Sequence, residues 1–177
     1  AHNGVTVTDA NLANLVAYLQ QVGAEESTAP VNAGAGKGLT GRYYNSTNLS
    51  GGVKLTRVEG INFGWGSGAP ATGVNKDKFS VRWSGRVEAF ATGTYRFQTV
   101  SDNGIRIWVN GAQLINDWTA HSSTTDTSGT INLVAGTRYT ITVEYYDSSG
   151  QAEARLRWLT PGTGSYVVVP SDRLFAN

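Results

Sequence analysis

The feature that most constrains this chain is an alternation of apolar and polar residues with period two, repeated in short runs. Phe79, Val81 and Trp83 alternate with Ser80 and Arg82, Tyr95 and Phe97 with Arg96 and Gln98, and Ile105, Ile107 and Val109 with Arg106 and Trp108. The same pattern returns in Tyr139, Ile141, Val143 and Tyr145, and in Ala154, Leu156 and Trp158. Successive side chains of a strand point to opposite faces, so each run predicts a strand with one buried face. Between the runs lie Ala91-Thr92-Gly93, Asn110-Gly111, Ala135-Gly136 and Ser148-Ser149-Gly150, where Gly or Asn supplies the backbone angles that tight turns need. Many short strands at this spacing predict an antiparallel sandwich or barrel, and periodicity alone does not choose between them. The expected core contains Phe79, Val81, Trp83, Phe97, Ile107, Ile141 and Leu156. Tyr95, Tyr139 and Trp158 fall in the same phase, and Trp108 falls on the opposite face.

Composition narrows the partners. The length of 177 residues suits one well-buried domain, and 22 glycines with only 15% charged residues favour turn-rich β structure over helix. A net charge of +1 gives no electrostatic reason to expect nucleic acid or an anionic membrane surface. No apolar stretch is long enough to span a bilayer, so membrane insertion is not expected. With no cysteine there is neither a disulfide nor a thiolate metal site. The chain begins at Ala1 without the charged and apolar regions of a leader, and is expected to be a mature piece of a larger protein. Its abundance of Gly, Thr, Ser and Asn predicts a secreted, periplasmic or cell-surface setting.

Three regions are expected: an N-terminal helix in residues 1–22, a linker over 23–37 and a β domain over 38–177. Leu12, Leu15, Val16 and Leu19 recur with helical spacing, and Thr8 or Asp9 can cap the first turn. The stretch from Val7 to Leu19 resembles the closing helix of c-type cytochrome domains, although no Cys-x-x-Cys-His motif is present to attach haem. The helix is either the remnant of an upstream domain or an element that packs on the following one. From Gly23 to Lys37 the composition is that of a flexible linker.

Several motifs then occur in a specific order. They are Gly38-Leu39-Thr40-Gly41-Arg42-Tyr43-Tyr44, the stretch Ile61 to Pro70, Phe79 to Gly85, Gly93-Thr94-Tyr95-Arg96-Phe97, Ser101-Asp102-Asn103-Gly104, Asn116 to His121, and Tyr139 to Tyr146. Together they resemble the PA14 family over roughly Gly38 to Phe175. The resemblance implies an all-β, antiparallel PA14-type β-sandwich, here with one short N-terminal α-helix. In that family the loop at Ser101–Gly104 usually reads Ser-Asp-Asp-Gly, and in several sugar-binding members the paired acids hold a calcium ion against a glycan. Asn103 replaces the second acid and removes one negative charge.

The resemblance implies Asp102 and Asn103 as metal ligands, and Asp147, in an oxygen-rich turn, is expected to join them. Ca²⁺ takes six to eight oxygens from carboxylates, amide carbonyls, backbone carbonyls and water, so adjacent residues cannot fill its shell. The turn from Tyr146 to Gln151 is the expected source of the remainder, with Ser149 and Gln151 as ligand-binding residues beside Asp102, Asn103 and Asp147. Alternatively, Asp102 and Asn103 form an Asx-type turn bonded to local amides. Trp118 and His121 are expected on the binding rim.

Catalysis is not expected. His2 and His121 belong to no triad or metal pattern, no Gly-x-Ser-x-Gly elbow occurs, and nothing selects a glycosidase pair among Glu59, Asp77, Glu88, Asp117, Glu144 and Glu153. The function predicted is a non-catalytic carbohydrate-binding module that takes glycan or polysaccharide through calcium and works beside other domains of its parent. The alternative is a structural or protein-interaction sandwich without a sugar ligand.

Overall fold

The computed structural model describes residues 34–177. The expected N-terminal helix, with its cytochrome-like stretch, and most of the expected linker lie outside the described residues. The described chain forms twelve strands: β1 (Leu39–Tyr44), β2 (Val53–Glu59), β3 (Asn62–Gly66), β4 (Phe79–Glu88), β5 (Gly93–Asp102), β6 (Ile105–Val109), β7 (Ala112–Asp117), β8 (Thr124–Leu133), β9 (Arg138–Asp147), β10 (Ala152–Leu159), β11 (Val167–Val168) and β12 (Leu174–Ala176). A single 3₁₀ turn, Ser171–Arg173, precedes the last strand.

The strands make two antiparallel sheets. The larger runs β2-β1-β4-β9-β6-β7 with β12 also on β4, and the smaller runs β11-β10-β5-β8 with β3 also on β10. Their inner faces share one apolar core. Phe79, Val81, Trp83, Phe97 and Ile107 are completely buried, and Ile141 and Leu156 are 1% exposed, as the alternation requires. Tyr139 is the exception. It is in phase with Ile141 but lies near the start of β9 and is only half-buried, its hydroxyl accepting the Val134 N–H at 3.0 Å.

An aromatic bridge ties the sheets together. Trp65 on β3 stacks on Phe63 at 4.7 Å between ring centroids and meets Phe79 on β4 at 5.5 Å and Tyr145 on β9 at 5.6 Å. Such pairs contribute about 0.5–1.5 kcal/mol each beyond the area they bury. Residues 34–38 run against the C-terminal segment, with Gly36 N–H donating to the Asp172 carbonyl at 2.9 Å and Gly38 N–H to Leu174 at 3.0 Å.

Candidate functional site

Four connections pass from one sheet to the other at the same end of the sandwich: β3 to β4, β5 to β6, β7 to β8 and β9 to β10. This convergence builds the site. The β5–β6 crossing is only Asn103-Gly104 between strands, and the Asp102–Asn103 peptide is cis. Gly104 is packed so closely that an added Cβ would lie 2.4 Å from Tyr146 Cε1 and 3.0 Å from the Thr119 carbonyl oxygen. Across it, Tyr146 N–H donates to the Gly104 carbonyl at 3.0 Å, and the Tyr145 hydroxyl donates to the Asp102 carbonyl.

Asn103 is 7% exposed and uses its whole amide. Its Oδ1 accepts the backbone N–H and the hydroxyl of Ser148, both at 2.7 Å. Its Nδ2 donates to the His121 carbonyl at 2.8 Å and to Asp102 Oδ1 at 3.0 Å. A carboxamide has two acceptor sites and two donors, so all four are filled. In this arrangement Oδ1 has no lone pair left for a cation, which changes the role expected of Asn103 from ligand to clamp. Nor is it a local Asx turn, because two of its partners lie 18 and 45 residues away in sequence.

Asp147, the last residue of β9, is completely buried, and neither carboxylate oxygen meets a donor in hydrogen-bond geometry. Burial first, then the charges of Asp77 and Asp102, push its pKa up to about 6, partly offset by the Lys78 backbone N–H. Asp102 is also shifted upward, chiefly by burial. Asp77 completes this acidic floor: its Oδ1 accepts the Gly150 N–H at 3.1 Å, which links the β3–β4 and β9–β10 connections.

Beside Asp102 an open cleft of ≈ 470 Å³ is lined by Gly64, Gly66, Ser123, Gln151 and Glu153 among others. Glu153 is held by Arg155 at 2.9 Å and by the Ser123 hydroxyl at 3.0 Å. Asp102, Asn103, Asp147 and Gln151 are therefore brought to one end of the fold, while Ser149 sits exposed in the adjoining turn. Asp77, Ser123 and Glu153 were not singled out as site residues from sequence. They arrive from separate connections, and a lone acid or serine in a turn carries no distinguishing signal.

Trp118 and His121 are not free rim residues. The Trp118 ring lies against Tyr146, 4.8 Å between centroids, with the Arg106 guanidinium 4.1 Å above it. His121 Nδ1 lies 2.8 Å from the Ser122 carbonyl, and Nε2 is 3.2 Å from Asp117 Oδ2 but off the hydrogen-bond direction. The His121 side chain is mostly buried and its carbonyl anchors Asn103, so it supports the loop.

The donor chemistry fits a hard cation, because buried carboxylate oxygens that no donor meets in hydrogen-bond geometry are the oxygens such an ion satisfies. Among the described residues no three acidic or histidine side chains converge as metal ligands. A cation here would take the rest of its shell from backbone carbonyls, water and ligand hydroxyls.

Residues 36–172 match the PA14 domain family. The anti-sigma-I factor RsgI3 of Acetivibrio thermocellus is 39% identical over 163 residues, covering 88% of this chain and 25% of that protein. A solved anti-sigma factor domain-containing protein from Clostridium clariflavum superposes with a TM-score of 0.77 and 33% identity, over 84% of this chain and 51% of that one. The PA14 sugar-binding domain of an RTX adhesin shares the fold at a TM-score of 0.62 and 23% identity, over 81% of this chain and 100% of that one. The chain thus spans about a quarter of the curated relative and about half of the solved anti-sigma protein. No helix among the described residues is long and apolar enough to cross a membrane. With several ordered motifs, the sandwich and a match over most of its length in agreement, the chain belongs to the PA14 domain family.

Proposed function

We propose that this domain is a non-catalytic glycan-binding module of a larger exported protein, with its ligand end at the convergence of the four sheet crossings. The observation that carries the proposal is Asp147, a buried carboxylate with no donor in hydrogen-bond geometry, beside Asp77 and beside Asp102, which lines an open cleft. Asp102 and Asp147 would hold Ca²⁺, which when bound supplies a positive centre for sugar hydroxyls. Asn103 ties its own connection to the two that flank it, and Asp77 fixes the Gly150 backbone. The cleft residues Gln151 and Glu153 offer an amide and a carboxylate for hydroxyl recognition, and Ser149 stands in the adjoining turn. A sugar-binding RTX adhesin domain of the same fold supports the ligand class. The anti-sigma relatives support a parent in which binding is the input to a regulatory response.

A structural or protein-interaction module is the second reading, and the complete hydrogen bonding of Asn103 favours it, because the loop closes without a cation. Calorimetric titration with CaCl₂, followed by a glycan array with and without EGTA, decides between them. Calcium binding with chelator-sensitive glycan binding supports the module as a lectin. Absence of both at millimolar calcium leaves the interaction module.

A further inference from the structure

The outer face of the larger sheet carries a feature that the loop end does not explain. One residue from each of six strands falls on a single line across the hydrogen bonds: Thr56, Arg42, Arg82, Glu144, Arg106 and Asn116. With strands about 4.8 Å apart the line is roughly 24 Å long. Glu144 sits between two arginines and takes one on each oxygen, with Arg82 Nη2 2.6 Å from Oε1 and Arg106 Nε 2.6 Å from Oε2. The Glu144 side chain is only 7% exposed, whereas those of Arg82 and Arg106 are 43% and 29% exposed. Arg106 is held further by the Trp118 ring beneath its guanidinium.

The line thus carries three guanidiniums and one carboxylate, and only Arg82 and Arg106 contact that carboxylate. Arg42 is directly opposite Arg82, exposed, and without an ion pair among the described residues. The Glu144 clamp accounts for Arg82 and Arg106, but like charges facing each other across a strand pair destabilise a sheet, so fold stability does not account for Arg42 opposite Arg82. Planar guanidinium forks bind carboxylates through paired hydrogen bonds, and a row of them on a twisted but open face suits a repeating anion. In the next row Trp108, half-buried with the Arg106 guanidinium 5.4 Å from its ring centroid, adds apolar surface of the kind a pyranose ring covers.

We propose that this arginine line is a docking strip for a carboxylate-bearing polysaccharide, independent of calcium and separate from the loop end. Each contact is weak, and a polymer presenting successive uronates gains affinity by engaging several at once. An acidic polypeptide is the competing occupant. The neighbouring indole, which a polypeptide carboxylate does not need and a pyranose ring covers, favours the sugar chain.

The test is affinity electrophoresis of the whole chain in EDTA, which silences any calcium site, through gels containing sodium polygalacturonate, its fully methyl-esterified form or polyglutamate. Polygalacturonate is expected to retard the protein, and the uncharged ester is not. Arg42→Glu should weaken the retardation roughly tenfold, because reversing one charge removes an attraction and adds a repulsion. Arg82→Gln should weaken it too, with its melting curve recorded because it disturbs the Glu144 clamp. Arg96→Glu, the same charge change on the smaller sheet, should leave it within about twofold. No retardation in EDTA, equal retardation by the ester, stronger binding to polyglutamate, or equal effects of Arg42→Glu and Arg96→Glu would each overturn the proposal.

Discussion

Asn103 Oδ1 accepts both the backbone N–H and the hydroxyl of Ser148 at 2.7 Å, joining the β5–β6 crossing to the β9–β10 crossing. Its Nδ2 reaches the β7–β8 connection through the His121 carbonyl. One carboxamide therefore holds three sheet-to-sheet connections in register. An aspartate at this position could keep the acceptor bonds but not the two donor bonds.

Asn103→Ala is accordingly expected to lower stability by about 2–4 kcal/mol, because it strands the part-buried Ser148 N–H and removes both donor bonds. Chemical denaturation at pH 7 measures this. A loss below about 0.5 kcal/mol, the usual range for surface changes, would show that the hub contributes little.

Asp147 makes stability depend on pH in a direction that can be stated. Its folded pKa, about 6, is raised above the ordinary carboxylate value, so the folded state binds the proton more tightly than the unfolded one. The stability it contributes is full below about pH 4 and is lost as pH rises through 6. Asp147→Asn removes the buried charge and is expected to stabilise the calcium-free protein at pH 7.5 while changing little at pH 4. Melting temperatures of both proteins across that range check it, and a destabilised Asp147→Asn at pH 7.5 would mean the carboxylate is already satisfied.

The alternation exposed the strands and the core because a half-buried strand must repeat every two residues, and Phe79, Val81 and Trp83 obey that rule. It also put Trp108 on the outer face, where it lies beside Arg106. The loop motif located Asp102 and Asn103 but not what Asn103 does, since its partners Ser148 and His121 are distant in sequence and meet it only through topology. Asp77 and Glu153 were illegible for the same reason. The Arg82–Glu144–Arg106 line depends on strand order and register, which local periodicity does not specify.

Gly104 gives a prediction about packing. Gly104→Ala places a methyl group against Tyr146 and two backbone carbonyls of the β7–β8 region, those of Asp117 and Thr119, and the carbonyls have little room to yield. Overpacking of this kind costs about 1–3 kcal/mol. Thermal melting should show that loss, and Tyr146→Ala in the same chain should recover part of it. Additive effects of the two substitutions would place the strain elsewhere.

The domain limits can be tested by truncation. A chain starting at residue 34 retains the bonds from Gly36 to Asp172 and from Gly38 to Leu174, and is expected to melt cooperatively. A chain starting at Leu39 loses both and should melt several degrees lower, about 1–2 kcal/mol less stable. Equal melting temperatures would show that the 34–38 segment adds nothing to the sandwich.

Calcium separates the roles of Asp102 and Asn103. Asp102→Ala removes a carboxylate proposed to hold the ion and only one of the four bonds of Asn103, so the fold should survive with a small change in melting temperature while calcium affinity falls at least tenfold. Asn103→Asp should do the opposite. Without calcium it sets a second carboxylate beside Asp102 and loses the donor bond to His121, so it melts below the wild type. With calcium the added charge strengthens the site, and the stabilisation by millimolar CaCl₂ should exceed that of the wild type, because a ligand at free concentration c bound only to the folded state stabilises it by RT ln(1 + c/Kd), which grows as Kd falls. Melting curves of the three proteins in EDTA and in CaCl₂ read both effects. If calcium shifts none of them, the β5–β6 crossing is a structural clamp, and glycan binding at this end, where it occurs, uses the cleft of Gln151 and Glu153 without a cation.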